Sequence, residues 1–539
     1  MIKTKLVSSL EKPFADQSLE DFREYTAATA LLGEKTSFQM LYTYLLDEDN
    51  RAFLPHYFTL SGDLAPYATV RHLKSVGVTK PVGIKSDDNY LRITPGAYPD
   101  ILFPASNEKG EFCASIKVLN SIFVDIDVPA DKAFAGKHTL TVEVFRKSNK
   151  EKMSEQTFSL EVIGLELPEE KTLHTQWLSA ELFAPYYGIE KWGERHWQIT
   201  ERAMRAMRRS GVNMLFTPAI NLTVIEKTSE GWKYDYTNLD KWVALGQRLG
   251  FTHFEMQHLF TSGDAAWSEK FSYYENGEEK TLRGKRSTDP ETVDFIRSFL
   301  KAFIEHFKTI GDPKKLVFHI ADEPALKNIE LFRAARETVI DIIGKYDIID
   351  AIFDIEYYTE GLVTAPVPIT DHIQPFLEKG VPNLWTYYCC GPQGSGYSNR
   401  FIPQSGACTR SIGMQLYKYN IVGFLHWAAC CLGAADVSGL VDPYLDQNGW
   451  NWVPAGDTGF IYPRANGEFY ETIRGIYLRD AFQDIRAMQL LESFTSHEAV
   501  VALIEEKLGC ELKFNTCAKT TETMDSIRSR INEELRKFA

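Results

Sequence analysis

Asp322 and Glu323 stand side by side at the end of an apolar run, Leu316-Val-Phe-His-Ile-Ala321, and Pro324 follows them. A run of this length reads as a buried parallel strand, and in a β/α barrel the chemistry is assembled where such strands end. Neighbouring residues within a strand face opposite ways, but past the last ladder bond the backbone is free to bend and a proline helps it to do so. Both carboxylates can then turn toward one mouth. A purely structural use is also open: Asp322 as the cap of a following helix, with Glu323 in its first turn and Pro324 near the first helical position.

Two carboxylates at one strand end suggest acid–base work on a glycosidic bond. In the common retaining arrangement the two carboxyls come from different strands and sit ~5 Å apart across the bond. Sequence neighbours do not straddle a bond easily. They suit the exception in which the substrate's own 2-acetamido oxygen is the nucleophile, one carboxylate orienting that group while the other protonates the leaving oxygen.

Other strand ends carry polar or aromatic groups: Phe254-Glu-Met-Gln-His258, Trp385-Thr-Tyr-Tyr388 and His426-Trp427. Their convergence at one mouth would let rings stack on a sugar and polar groups bond its hydroxyls. His258, His319 and His426 could instead bind a metal, yet no His-x-His or His-Glu-x-x-His spacing occurs, and no metal or other cofactor is expected. No Gly-x-Ser-x-Gly elbow is present, and Gly391-Pro-Gln-Gly-Ser-Gly396 lacks a phosphate-binding lysine, so it reads as a loop near the mouth.

The elements that would position these groups fall into an alternation. Strands are expected at Leu173–Leu178, Asn213–Thr217, Thr252–Gln257, Leu316–Ala321, Asp350–Ile355, His372–Pro375, Asn383–Tyr388 and Val422–Trp427. Helices are expected at Glu194–Ser210, Leu239–Leu249, Pro290–Ile310, Ile329–Lys345, Cys408–Tyr419 and Glu468–Leu491. This predicts a (β/α)8 TIM-like barrel over residues 172–492. Before it, short runs including Phe53–Leu60, Tyr90–Thr94, Ser121–Val128, Lys137–Arg146 and Gln156–Ile163 alternate with turn signals, which predicts a β-sandwich over residues 1–166. Residues 493–539 hold two further helical stretches, Ser496–Leu508 and Thr520–Phe538, read as a small helical appendage.

A formal charge of −14 over 539 residues argues against nucleic acid or an anionic membrane surface as the main partner. No run approaches the ~18 apolar residues of a membrane span, and the first residues lack the apolar core of a signal peptide, so a cytoplasmic protein is expected. The eight cysteines show no Cys-x-x-Cys spacing and read as free thiols.

From about residue 85 to 490 the chain resembles glycoside hydrolase family 123 and the related domain of unknown function 4091. The resemblance rests on Tyr98-Pro-Asp100, Phe254-Glu-x-x-His-Leu-Phe-Thr261, Ala321-Asp-Glu-Pro324, Leu384-Trp-Thr-Tyr-Tyr-Cys-Cys390, Gly423-Phe-Leu-His-Trp427, Ala455-Gly-Asp-Thr-Gly-Phe-Ile-Tyr-Pro463 and Leu478-Arg-Asp-Ala-Phe-Gln-Asp-Ile-Arg486. It implies a β-sandwich followed by a barrel, and a retaining exo-β-N-acetylgalactosaminidase that works through an oxazoline. Asp322 would stabilise the acetamido group and Glu323 would be the acid/base. His258, Trp385, Tyr387 and Trp427 would line the sugar pocket, with Asp457 near a late loop. The partner is then an oligosaccharide or glycoside. Two departures, Ser262-Gly-Asp264 where relatives often have Trp-Gly and Ala428 where an asparagine is common, leave room for a different sugar on the same fold. A non-catalytic carbohydrate-binding protein is the reading from another class.

Overall fold

The computed structural model describes residues 2–45, 53–105, 110–433 and 439–539. The chain forms two compact units, one of residues 1–170, 393–418 and 431–539, the other of residues 171–392 and 419–430.

The first unit is built on two sheets. One has seven strands and takes its last two, Ile461–Pro463 and Phe469–Thr472, from late in the chain; the other has five. Their facing side chains share one core, where Phe38 of the larger sheet stacks on Phe158 of the smaller at 4.2 Å between ring centroids. Residues 90–94, expected to be a strand, form none, apart from an isolated bridge between Tyr90 and Gln404. The expected helix at Glu468 begins instead at Ile473. Residues 469–472 extend the sheet beside Gly96–Pro104, and Thr472 caps the helix by accepting from the Gly475 amide. Strand Asn120–Asp127 alternates in sequence as if one face met water, yet Phe123 and Asp125 are buried too, and Arg479 of the helix Ile473–Phe494 donates to Asp125 at 3.0 Å. Period-two patterning identified the strand but not the helix that covers it.

The second unit contains eight parallel strands in the order six, five, four, three, two, one, eight, seven. They are Leu173–Gln176, Met214–Thr217, His253–Met256, Leu316–Phe318, Asp347–Ile352, Ala365–Pro368, Trp385–Tyr387 and Gly423–His426. A parallel bridge between Ile369 and Tyr387 joins the edge strands and closes the ring. The sixth strand is therefore not His372–Pro375, which leads into the helix Gln374–Lys379. It is Ala365-Pro-Val-Pro368, whose two prolines masked it, because proline cannot donate to a ladder. Helices Glu194–Arg209, Thr237–Arg248 and Pro290–Ile310 bury apolar faces as their periodicity requires. The expected helix Ile329–Lys345 is two, Ile329–Glu337 and Ile340–Ile343, interrupted at Thr338-Val339. The stretch expected as Cys408–Tyr419 is also two short helices, and these belong to the first unit.

Candidate active site

The fourth barrel strand stops at Phe318, three residues before its apolar run ends. The reason is a side chain. Asp350 on the fifth strand accepts from the Ile320 amide at 2.9 Å, so a carboxylate replaces the ladder partner and frees the chain to turn. The turn is completed by Glu323, whose φ of 45° lies in the left-handed region that a glutamate rarely adopts. Its amide still donates to the Ala351 carbonyl at 3.0 Å. The neighbouring loop pins the same bend: the Gly263 amide donates to the Asp322 carbonyl at 2.8 Å, and the Ala325 amide donates to the Gly263 carbonyl at 3.0 Å. Gly263 has a φ of 82°, which a glycine adopts without strain.

Asp322 caps no helix. The next helical turn, Leu326–Asn328, starts from Ala325 without a side-chain cap, so the structural reading of the Asp-Glu-Pro step fails.

The two carboxyls occupy different electrostatic settings. Burial, and then the adjacent Glu323 charge, push the Asp322 carboxyl up to about 7, while His319 opposes the rise. Glu323 is held by Tyr387, whose hydroxyl donates to Oε1 at 2.5 Å. Burial and that neighbouring carboxylate raise the Tyr387 hydroxyl well above its usual range, so it remains a donor.

A buried assembly centres on His319, which the sequence offers only as a possible metal ligand. His319 is fully buried; its Nε2 lies 2.7 Å from Glu255 Oε1 and its Nδ1 3.4 Å from Asp350 Oδ1. Glu255 also accepts from the Trp177 indole at 2.7 Å and from the Thr175 hydroxyl. Burial alone would lower His319, but the neighbouring Asp350 and Glu255 carboxylates, the latter hydrogen-bonded to Nε2, outweigh it, and the imidazole is raised to about 9. Residues of the first, third and fifth strands, and His319 just past the end of the fourth, make up this assembly. The only sequence signal was that Glu255, His319 and Asp350 are polar residues within or beside apolar strands.

His258 lies against it, its ring centroid 4.3 Å from that of His319. Burial and the His319 charge hold His258 well below its usual value, so it is neutral, and its buried Nε2 has no hydrogen-bond partner among the described residues. Among the described residues no group of three or more His, Cys, Asp or Glu is arranged to hold a metal.

The structure thus brings Asp322, Glu323, His258 and Tyr387 to one end of the barrel. Trp427 follows the eighth strand at the same end and is half-buried. Trp385 lies two residues before Tyr387, deeper in the barrel, packed in its apolar core against Gly423. Asp457 belongs to the first unit, where it is buried and its carbonyl accepts from Arg400 at 2.7 Å.

A model of the glycoside hydrolase 123 catalytic domain matches residues 177–491. Among solved structures, a family 123 glycoside hydrolase from Clostridium perfringens, reported for glycolipid glycan hydrolysis, aligns at 16% identity over 100% of this chain and 99% of its own, with a TM-score of 0.74. A calcium-binding mutant of Bacteroides uniformis β-glucuronidase 2 aligns at 9% identity over 77% of this chain and 48% of its own, with a TM-score of only 0.29. No curated protein matches the chain.

Proposed function

The chain belongs to glycoside hydrolase family 123 and is a glycoside hydrolase, and on that premise we propose that it is a retaining exo-β-N-acetylgalactosaminidase whose substrate supplies the nucleophile. The observation that carries this reading is the adjacency of Asp322 and Glu323 on one bent segment, turned by the left-handed Glu323 backbone. Carboxyls on consecutive residues are poorly suited to flanking a glycosidic bond from opposite faces, whereas they suit two groups on adjacent sugar carbons, the acetamido N–H at C2 and the leaving oxygen at C1.

In the proposed reaction Glu323 donates its proton to the glycosidic oxygen as the bond from C1 to that oxygen breaks. The acetamido carbonyl oxygen bonds to C1, and Asp322 accepts the hydrogen bond, and in part the proton, of the acetamido N–H as the oxazoline forms. Water then attacks C1, Glu323 takes its proton, the oxazoline opens, and the amide regains its hydrogen. Two inversions give net retention. A carboxyl raised to about 7 is matched to sharing a proton near neutral pH. The Tyr387 hydroxyl holds one oxygen of Glu323 and so restricts its rotation. His258 and Trp427 are proposed to contact the sugar, with Trp385 bracing the wall from the core.

The test is a panel of aryl glycosides: β-2-acetamido-galactoside, β-2-acetamido-glucoside and plain β-galactoside. The reading expects turnover of the first above the second, none of the third, and the β-anomer as first product. Preference for the glucoside would keep the mechanism and change the sugar. Because the Clostridium perfringens relative is reported for glycolipid glycans, a lipid-linked 2-acetamido glycan belongs in the panel.

A further inference from the structure

We propose that Cys408 and Cys517 are a modification site in the first unit: a dithiol that a low-molecular-weight disulfide oxidises to a protein disulfide, stapling down the connector between the last two helices. The proposal is independent of which sugar the barrel turns over.

Geometry sets this pair apart from the other cysteines. Both are buried free thiols, and Cys517 Sγ lies 3.0 Å from Cys408 Sγ although 109 positions separate them in the chain. A disulfide bond is about 2.05 Å long, so the sulfurs need approach by only about 1 Å. The sulfurs of Cys389 and Cys390 are 4.0 Å apart, but those residues are consecutive, and joining them would close no loop of the chain.

The meeting of the two thiols is held in register. Cys408, Ser411 and Gln415 follow one another at spacings of three and four over two consecutive short helices, Gly406–Arg410 and Ile412–Lys418, and so line one face. All three engage the connector. Gln415 Nε2 donates to the carbonyls of Lys513, Phe514 and Thr516 at 3.2, 3.1 and 2.9 Å, and the Ala518 amide donates to the Ser411 hydroxyl at 3.0 Å. Cys517 therefore sits between two anchored residues, facing Cys408. The connector between helices His497–Leu508 and Thr521–Leu535 has no helix or strand of its own, so these contacts fix its place. Its exposed residues Glu511, Lys513 and Asn515 alternate with buried Leu512 and Phe514, which puts it at the surface of the unit, where it can lift locally.

Exchange proceeds while the connector is lifted. One cysteine thiolate attacks the small disulfide, releasing one small thiol and leaving a mixed disulfide. The second cysteine sulfur then displaces the other small thiol as the Sγ–Sγ bond forms. The protein gives up two protons and two electrons, and the small disulfide takes up both to become two thiols. The new bond closes a long loop and stabilises the fold by restricting the unfolded chain.

The test uses full-length protein brought to a constant thiol count in excess glutathione disulfide or in dithiothreitol, from the folded state and by refolding. After alkylation and peptide mapping, the oxidised sample should yield the Cys408 peptide linked to the Cys517 peptide. Its melting temperature should lie about 3–6 °C above that of the reduced sample. Cys517→Ser should show neither the link nor any dependence of melting on the redox buffer. Separate alkylated peptides in the oxidised sample would overturn the proposal. So would a link that leaves the melting temperature unchanged or lowers it. Should Cys517→Ser not fold, the map and melts of the wild type decide alone.

Discussion

Tyr387 on the seventh barrel strand donates to Glu323 Oε1 at 2.5 Å, fixing the carboxyl that follows the fourth. Tyr387→Phe removes this hydrogen bond while keeping the ring in the core. A hydrogen bond to a charged group is worth about 1.5–3 kcal/mol, so kcat should fall roughly 10–100-fold with little change in the melting temperature. Steady-state kinetics beside a thermal melt checks both halves.

Asp322 should make the protein less stable as pH rises. Its folded value of about 7 lies above the ordinary 3.8, so its neutral form is favoured in the fold. The contribution is fully present below about 3.8 and is lost as pH climbs through about 7. Asp322→Asn, neutral throughout, should therefore be inactive yet more stable than the wild type at pH 7.5, by on the order of 1–3 kcal/mol, with the gap closing toward pH 4. Denaturant melts at the two pH values measure it. A variant that is destabilised at pH 7.5 would contradict this.

Glu323→Gln should lose most activity on glycosides with poor leaving groups and recover part of it on a dinitrophenyl glycoside, which needs no proton. Asp322→Asn should fail on both, since the acetamido group must be oriented whatever leaves. Equal rescue of the two variants would remove the distinction between their roles.

Gly263 holds the catalytic bend through its amide to Asp322 and its carbonyl to Ala325, at a φ of 82°. A methyl group there would meet nothing within 4 Å, so the strain of Gly263→Ala is in the backbone alone. That strain costs about 1–2 kcal/mol, and kcat should drop roughly tenfold as Asp322 loses its register. The melting temperature and kcat, measured together, test the link.

Much of the barrel was legible because apolar strands alternate with amphipathic helices, and Pro290–Ile310 falls at the bounds that Asp289-Pro290 and Gly311 imply. The sixth strand was not, since Pro366 and Pro368 suppress the usual strand signal. In the first unit, strands such as Ile2–Ser8 and Ala68–Val78 lie among polar residues that obscure period-two patterning. At the site, Asp322 and Glu323 stood out because two charges end an apolar run. Glu255, His319 and Asp350 did not, because their meaning lies in contact between three strands far apart in sequence. Trp385 was expected in the pocket as part of an aromatic strand end and through the family resemblance; it lies two residues before Tyr387, one step deeper along the strand.

The most direct test of substrate assistance is a series of aryl 2-acylamido-galactosides with acetyl, fluoroacetyl, difluoroacetyl and trifluoroacetyl groups. Each fluorine weakens the carbonyl oxygen as a nucleophile while changing size little. The expected result is a steady fall in kcat/KM, at least about tenfold across the series, or about 1.4 kcal/mol in the barrier. Rates that do not depend on the acyl group, or efficient cleavage of the matched 2-hydroxy glycoside, would contradict the claim that the substrate brings its own nucleophile to Asp322 and Glu323.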